Sequence, residues 1–217
     1  INKIILKVSR IESAFGGETK SINSWVEEHR KCIKNNQRLV KKQSEKNDIK
    51  ILLSILRDML VRAMTGEKGE LVHTELSKVI KKKSDLNSKN YRKALNAAKY
   101  RWGAENGCEV IENIVIFFDR KLNWKWNKYF NEADKNRYSN FVDDDLLKIK
   151  NIGFKLRDLT LSSFNQHYAA FDTHVTRVPT RIGLLNYGFE LLNDQNFEMG
   201  NDPSNEKHYL FLHRLFI

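Results

Sequence analysis

The chain has 217 residues, of which 41% are hydrophobic, enough for one globular unit or two small lobes with a buried core. Thirty-eight Lys and Arg against 27 Asp and Glu give a formal net charge of +11, typical of a protein that binds a polyanion, although a basic balance can also serve solubility alone. Only two cysteines are present, so a four-cysteine zinc site or iron–sulfur cluster within this chain is excluded. They are typical of reduced thiols, and no apolar run has the length of a membrane span, so we expect an intracellular protein (cytoplasm and nucleoid, or nucleus) without a membrane partner.

The hydrophobic spacing and the presence of only two prolines predict an all-α chain. Residues 1–24 are weakly patterned, with a turn expected at Gly16 and Gly17. Residues 48–64 carry the clearest helical pattern, and Asp48 is suited to be its N-cap. We expect this helix to be the most buried one.

Two basic runs lie on either side of that helix's apolar stretch. Residues 30–50 hold eight Lys and Arg against two acidic residues, and residues 78–101 hold nine against one. Such runs bind phosphates without regard to sequence, so charge alone does not distinguish DNA from RNA. Within the second run, Ser84 or Ser88 is a candidate cap for a further helix.

The second half of the chain contains a predicted helix–turn–helix. Gly107 is expected to break the preceding pattern, after which residues 109–121 predict a helix and residues 123–140 a long connection. Three aspartates at 143–145 suit a helix start, and that helix is expected to stop at residues 151–153.

A second helix of this pair is predicted to begin near Phe154, with leucines available for packing. Residues 177–185 predict another helix, and residues 187–205 are rich in loop-forming residues.

The helix–turn–helix LLKIKNIGFKLRDLTL (residues 146–161) resembles the helix-hairpin-helix motif of the DNA glycosylase superfamily that includes endonuclease III and 8-oxoguanine DNA glycosylase. The family's hairpin reads Leu-Pro-Gly-Val-Gly-x-Lys, and residues 149–155 stand in its place. Downstream, AFDTHVTRVPTRIGL (residues 170–184) is similar to the family's Asp-Thr-His-Val segment. The specific match covers about 40 residues, and a weaker outline extends over residues 49–217.

The resemblance implies an all-α fold of two helical lobes, with the hairpin at their junction and the active cleft between them. The contiguous lobe is expected to span residues 49–165, including a hairpin at about 144–164. Residues 1–48 and 166–217 would form the second lobe, and the protein would be a monomer.

The resemblance implies that Lys155 and Asp172 are catalytic. Lys155 would attack the sugar C1′, expel the base and form a Schiff base. An amine is a nucleophile only when deprotonated, a state that burial or neighbouring cations favour. Asp172 would stabilise the positive charge developing on the sugar. The alternatives are that Lys155 only contacts a phosphate and that Asp172 is only a helix cap.

Phosphate binding at the hairpin is expected to use the backbone of Asn151, Ile152 and Gly153, where amides at a helix start attract an anion. Gly153 lets that backbone approach without a Cβ in the way. Asn151 replaces the family's first glycine, and asparagine is the residue after glycine that best tolerates the left-handed conformation such a turn requires. A structural monovalent cation on the hairpin carbonyls is also possible by resemblance, and we assign no other cofactor and no catalytic metal.

By resemblance, His174 contacts a DNA phosphate and Arg177 extends that contact, although a packed histidine and a solvated arginine are the ordinary alternatives. Glycosylases also fill the hole left by a flipped base and stack that base against a ring. Candidates for these two tasks are Arg62 and Met64 as wedges, and Trp102, Trp124, Trp126 and Phe154 as stacking residues.

The sequence therefore predicts a bifunctional DNA glycosylase and AP lyase of base excision repair, acting on double-stranded DNA that contains an oxidised base, first of all 8-oxoguanine. Two alternatives stay open. One is an oxidised-pyrimidine glycosylase of the endonuclease III type, and the other is a helix-hairpin-helix DNA-binding module without catalysis.

Overall fold

The computed structural model describes residues 22–42, 44–60, 66–137, 141–171, 209 and 212–213. These residues contain seven α-helices and no strand, which confirms the all-α prediction for this part of the chain. The helices are α1 (Ile22–Lys41), α2 (Glu45–Leu60), α3 (Gly66–Val79), α4 (Ser88–Ala97), α5 (Ala104–Ile116), α6 (Trp126–Lys135) and α7 (Phe154–Ser162). The division into two lobes with a cleft between them stays a prediction.

Helix α2 forms the centre of the core, as its apolar pattern predicts. Ten of its 16 residues are buried, and α1, α3, α5 and α7 all pack against it. Its apolar side chains recur at helical spacing on more than one face, so it must be surrounded by other helices to keep them from water.

The start of α2 differs from the prediction. The helix begins at Glu45, and Ser44 precedes it, with its Oγ accepting a hydrogen bond from the Asn47 amide at 3.3 Å. Asp48 is therefore not the N-cap. Its carboxylate is buried, where it accepts a hydrogen bond from Trp126 Nε1 at 3.0 Å and pairs with Lys83 Nζ at 2.8 Å.

Helix α4 is capped by Asn87, whose side chain accepts from the Asn90 amide at 3.0 Å, and neither Ser84 nor Ser88 caps it. Asparagine is as good an N-cap as serine, so the sequence offered several equivalent candidates in this stretch.

Gly107 does not break the helix as predicted, because α5 runs through it. A Cβ placed there would lie 2.7 Å from a methyl group of Leu95 and 3.0 Å from the ring of Tyr100. The glycine is thus a packing residue that lets α4 and α5 approach closely. The helix continues as a π-helical turn at Phe117–Lys121, so the predicted helix over 109–121 is confirmed as helical backbone.

Residues 123–140, predicted as a connection, contain α6. The segment is held by aromatic contacts, including Phe118 against Trp126 at a centroid distance of 4.2 Å and Phe117 against Tyr129 at 5.9 Å. Rings of this size bury enough apolar area to order a short helix whose polar residues alone would predict a loop. Helix α1 was likewise not predicted, because its charged residues mask a narrow apolar seam that contains the buried Ile33 and Val40.

Replacing Gly107 with Ala should lower the free energy of unfolding. Overpacking costs about 1–3 kcal/mol, of which the helix propensity of alanine offsets roughly 1 kcal/mol. We expect a decrease in Tm of a few degrees in a thermal melt followed by circular dichroism. The comparison variant is Gly153→Ala, where φ is −108° and an added Cβ meets nothing within 4 Å, so its cost is limited to the weaker N-cap that alanine makes. Equal melting of the two variants would contradict the close approach of α4 and α5.

Candidate nucleic-acid interface

The approach to the predicted hairpin consists of two short 3₁₀-helices, Phe141–Asp143 and Asp145–Lys148, instead of the α-helix predicted after the three aspartates. Asp144 separates them, and its Oδ1 accepts from the Leu146 amide at 2.9 Å. A side chain that bonds to the backbone two residues ahead competes with the regular helical ladder. The aspartates thus begin a helical turn, as predicted, but that turn does not extend into an α-helix.

The turn itself is built around Asn151. The Ile152 amide donates to the Ile149 carbonyl at 3.0 Å, and Asn151, third of the four residues, has φ of 71°. A left-handed residue in that place is the mark of a type II turn, which normally demands glycine or asparagine. The expectation that Asn151 adopts the left-handed conformation is confirmed. Because the side chain of Ile152 is buried, only its backbone can face a ligand.

Helix α7 begins directly after this turn, with Gly153 as its N-cap in extended conformation. The space where a Cβ of Gly153 would stand is open, with nothing within 4 Å. The positive end of the helix dipole and the first backbone amides therefore lie behind a residue that has no side chain, an arrangement that favours an approaching anion.

Lys155 is the second residue of α7, and its side chain is exposed. A large substrate can therefore reach this side chain. Lys150, on the turn, is also exposed and pairs with Glu109 at 3.0 Å.

A buried ionic network lies directly beneath this hairpin. The guanidinium of Arg157 is fully buried, and it donates from Nε to Asp144 Oδ2 at 2.9 Å and from Nη1 to the fully buried Asp158. Burial lowers the pKa of Arg157, but the neighbouring carboxylates of Asp158 and Asp144 outweigh it and raise the pKa above its usual value. Arg157 therefore stays charged and joins the segment before the turn to the helix after it.

Two residues near the end of the chain complete the network. Tyr209 donates its hydroxyl to Asp158 Oδ2 at 2.8 Å, and burial together with the Asp158 charge raises the pKa of Tyr209. His213 lies with Nδ1 3.1 Å from the same oxygen and Nε2 2.9 Å from the Arg137 carbonyl.

The far end of α7 is attached to the core helix. Ser163 donates its hydroxyl to Asp58 Oδ2 at 2.8 Å, and Arg57 Nε donates to the other oxygen at 3.1 Å. Burial raises the pKa of Asp58 to about 6 against the opposing charge of Arg57, so the carboxylate is mainly ionised at neutral pH. Charge-assisted hydrogen bonds therefore hold α7 at its middle, through Arg157 and Asp158, and just after its last residue, through Ser163.

The basic run at residues 78–101 is partly neutralised. Lys83 pairs with Asp48 and lies 4.4 Å from the ring centroid of Trp124, and Arg92 pairs with Glu105 at 2.7 Å. These two cations support the fold, so the charge that this run can offer to a polyanion is smaller than its composition indicates.

The aromatic candidates for stacking a flipped base separate into three groups. Trp124 and Trp126 are buried in the core and cannot serve. Phe154 is half-buried and stacks on Tyr209 at a centroid distance of 5.3 Å. Trp102 is 42% exposed, with the Arg101 guanidinium 5.2 Å from its ring centroid. Of the four rings, Trp102 is the most available to a base.

The remaining predicted site residues lie outside the described part of the chain: Asp172, His174 and Arg177, with the wedge candidates Arg62 and Met64. The structure brings together Asn151, Ile152, Gly153 and Lys155 on one turn and one helix start. The roles of all these residues stay predictions.

Sequence reasoning missed the buried network altogether. Arg157 and Asp158 stand in the stretch Lys-Leu-Arg-Asp (residues 155–158), which has the composition of an exposed polar face. Charged side chains are almost never fully buried unless they are paired. Apart from the adjacent Arg157–Asp158 pair, their partners stand 13 to 55 positions away in the chain. No local pattern reports such a pairing.

Within the described residues, no group of three or more His, Cys, Asp or Glu side chains is arranged to hold a metal ion, and no helix there has the length and apolar character needed to cross a membrane. Comparison with known proteins found no match for the chain among family models, curated proteins or solved structures.

Replacing Arg157 with Met should strongly destabilise the protein, because the change leaves the carboxylates of Asp144 and Asp158 buried without their cation. Removal of one partner from a buried ion pair costs about 3–5 kcal/mol. Urea unfolding followed by tryptophan fluorescence measures this loss. Arg120, exposed on the π-helical turn, is the control, and Arg120→Met should stay within about 0.5 kcal/mol of wild type. If both variants unfolded at the same urea concentration, Arg157 would not hold the hairpin.

Proposed function

We propose that this protein is a bifunctional DNA glycosylase and AP lyase that removes an oxidised base from double-stranded DNA. The observation that carries the proposal is the hairpin: a turn with Asn151 at φ 71° is followed by a helix that begins behind Gly153 and presents Lys155 in its first turn. The resemblance of residues 143–183 to the glycosylase hairpin and its Asp-Thr-His segment supports the same assignment.

The geometry suits a phosphate at the helix start. The helix dipole is equivalent to roughly half a positive charge at that end, and the first amides point along the axis toward a ligand. A phosphate held by the backbone of Gly153 would place the neighbouring deoxyribose near the exposed side chain of Lys155. Backbone contacts of this kind position DNA without reading its sequence.

In the proposed reaction, the neutral Nζ of Lys155 forms a bond to C1′ while the glycosidic bond breaks and its electron pair leaves with the base, which takes up a proton. Opening of the sugar ring yields a Schiff base. Loss of a proton from C2′ then expels the 3′ phosphate by β-elimination and cuts the strand. Asp172, by resemblance, stabilises the positive charge on the sugar, which grows toward the transition state.

Two other functions remain as alternatives. An oxidised-pyrimidine glycosylase would use the same lysine chemistry, and a panel of duplexes that each carry one lesion separates it from an 8-oxoguanine enzyme. A non-catalytic hairpin module would bind DNA through the same turn but would form no Schiff base. Borohydride trapping separates this module from both enzymes, because reduction of a Schiff base leaves a covalent adduct.

Lys155→Gln should abolish borohydride trapping on abasic and lesion-containing duplexes, together with strand cleavage. DNA affinity should stay within roughly tenfold of wild type, because one cationic contact at most is lost. Gel electrophoresis of the trapped adduct measures the first effect, and fluorescence anisotropy measures the second.

The matched control is Lys150→Gln, which removes the same charge from the same hairpin. Trapping by this variant should equal that of wild type. Trapping that survived in Lys155→Gln and disappeared in Lys150→Gln would assign the nucleophile to the turn and refute the role given to Lys155.

Gly153→Ala tests the phosphate contact apart from catalysis. The protein accommodates the added methyl group without strain, and alanine at this N-cap costs only about 1 kcal/mol, so the variant should fold and melt a few degrees below wild type. DNA affinity should fall, by on the order of tenfold, because the methyl group occupies the space that a phosphate would enter. Wild-type affinity in a normally folded Gly153→Ala variant would place the DNA elsewhere.

A further inference from the structure

A polar cleft lies at the end of α7 remote from the hairpin, with a volume of about 660 Å³. One wall is a face of α1, and the other is the segment that follows α7. Six polar side chains line it: two cations, three amides and one imidazole. They are Arg30, Lys34, Gln37, Asn165, Gln166 and His167. Among the described residues that line this cleft there is no carboxylate.

The cleft is held open by specific contacts between its walls. Asn36 Nδ2 donates to the Ser163 carbonyl at 2.7 Å, and Gln37 Nε2 donates to the Phe164 carbonyl at 2.9 Å. Phe164 stacks on Phe130 at a centroid distance of 4.3 Å, which fixes the second wall against α6. The distance between the walls is thus set by buried or half-buried contacts and not by the exposed side chains.

The two cations of α1 that line the cleft, Arg30 and Lys34, lie on the same face of the helix. Arg30, Lys34 and Gln37 stand four and three positions apart, so they share one face of the helix. Arg30 also pairs with Glu27 at 2.8 Å, but both side chains are more than half exposed, so this pair is weak and exchangeable. Lys34 makes no ion pair or hydrogen bond with any residue that the structure describes.

The lining chemistry favours phosphate over a nucleobase. Cations and amide N–H groups are the usual contacts to phosphate and sugar oxygens. A base would need an aromatic or broad apolar face for stacking, and among the described lining residues Ile33 is the one apolar side chain and is itself buried. A free nucleotide therefore fits the cleft less well than a sugar–phosphate backbone.

We propose that this cleft is a second DNA-backbone site, in which Arg30 and Lys34 contact phosphates of the same duplex that the hairpin binds. The inference rests on the proposed function for the identity of the polyanion. Helix α7 has nine residues, so the hairpin and the cleft are separated by on the order of 13 Å, a distance covered by about four base pairs. Two contacts at that separation orient the duplex, which one hairpin cannot do.

The test compares two double variants of equal charge. Arg30→Gln with Lys34→Gln removes the cleft cations, and Lys31→Gln with Arg38→Gln removes one lysine and one arginine that are exposed on the same helix outside the cleft. Binding of a fluorescent undamaged DNA duplex is measured by anisotropy over a series of salt concentrations. Borohydride trapping on an abasic duplex is measured at saturating protein concentration.

A plot of log affinity against log salt concentration has a slope to which each phosphate contact contributes about 0.9. The cleft variant loses two contacts, so the magnitude of its slope should fall by about 1.8. The control variant should change the slope by less than half as much, and both variants should melt like wild type. Trapping by the cleft variant at saturation should match wild type, because Lys155 is untouched.

A wild-type slope in the cleft variant would overturn the proposal, and so would equal losses in the two variants, which would indicate a diffuse basic surface. The proposal would also be overturned if the cleft variant lost affinity for an RNA competitor and kept its affinity for the DNA duplex. One further outcome separates the two proposals. If wild-type protein formed no trapped adduct while the affinity of the cleft variant still depended less steeply on salt, the proposed enzymatic function would fail and the second backbone site would stand.

Discussion

The hairpin depends on one buried cation. Arg157 lies fully buried between Asp144, on the segment before the turn, and Asp158, on the helix after it. Two carboxylates and one guanidinium in a low-dielectric site are stable only in the right geometry, because each would be costly to bury alone. The position of the turn relative to α7 follows from that requirement.

The same network extends to the end of the chain and to α6. Tyr209 and His213 both approach Asp158, Tyr129 donates to Asp144 at 3.0 Å, and His213 also reaches the Arg137 carbonyl. Segments far apart in sequence thus meet at one carboxylate pair. A hairpin that must hold a phosphate against its helix start gains rigidity from this support, since the geometry of a site is set largely by the residues behind it.

Charge is distributed between support of the fold and surfaces that can bind an anion. Lys83 and Arg92 are paired within the fold, and the side chains of Lys155 and Lys34 are exposed. The net charge of +11 therefore overstates the basic surface, and two anion-binding surfaces among the described residues are the helix start behind Gly153 and the cleft beside α1. A duplex in contact with both would be held in one orientation.

Local patterns in the sequence determined the helical class, the core helix α2, the start of α7 near Phe154 and the left-handed turn at Asn151, because periodicity and turn chemistry act over a few residues. They also pointed to Lys155 through a resemblance that spans about 40 residues. Tertiary structure alone decided the burial of Arg157 and the role of Asp48 as a buried acceptor. It also decided that Gly107 serves helix packing and that a cleft forms between α1 and the end of α7. Each of these depends on partners distant in the chain, and whether a charged or small residue is exposed, paired or packed is set by those partners and not by its neighbours in sequence.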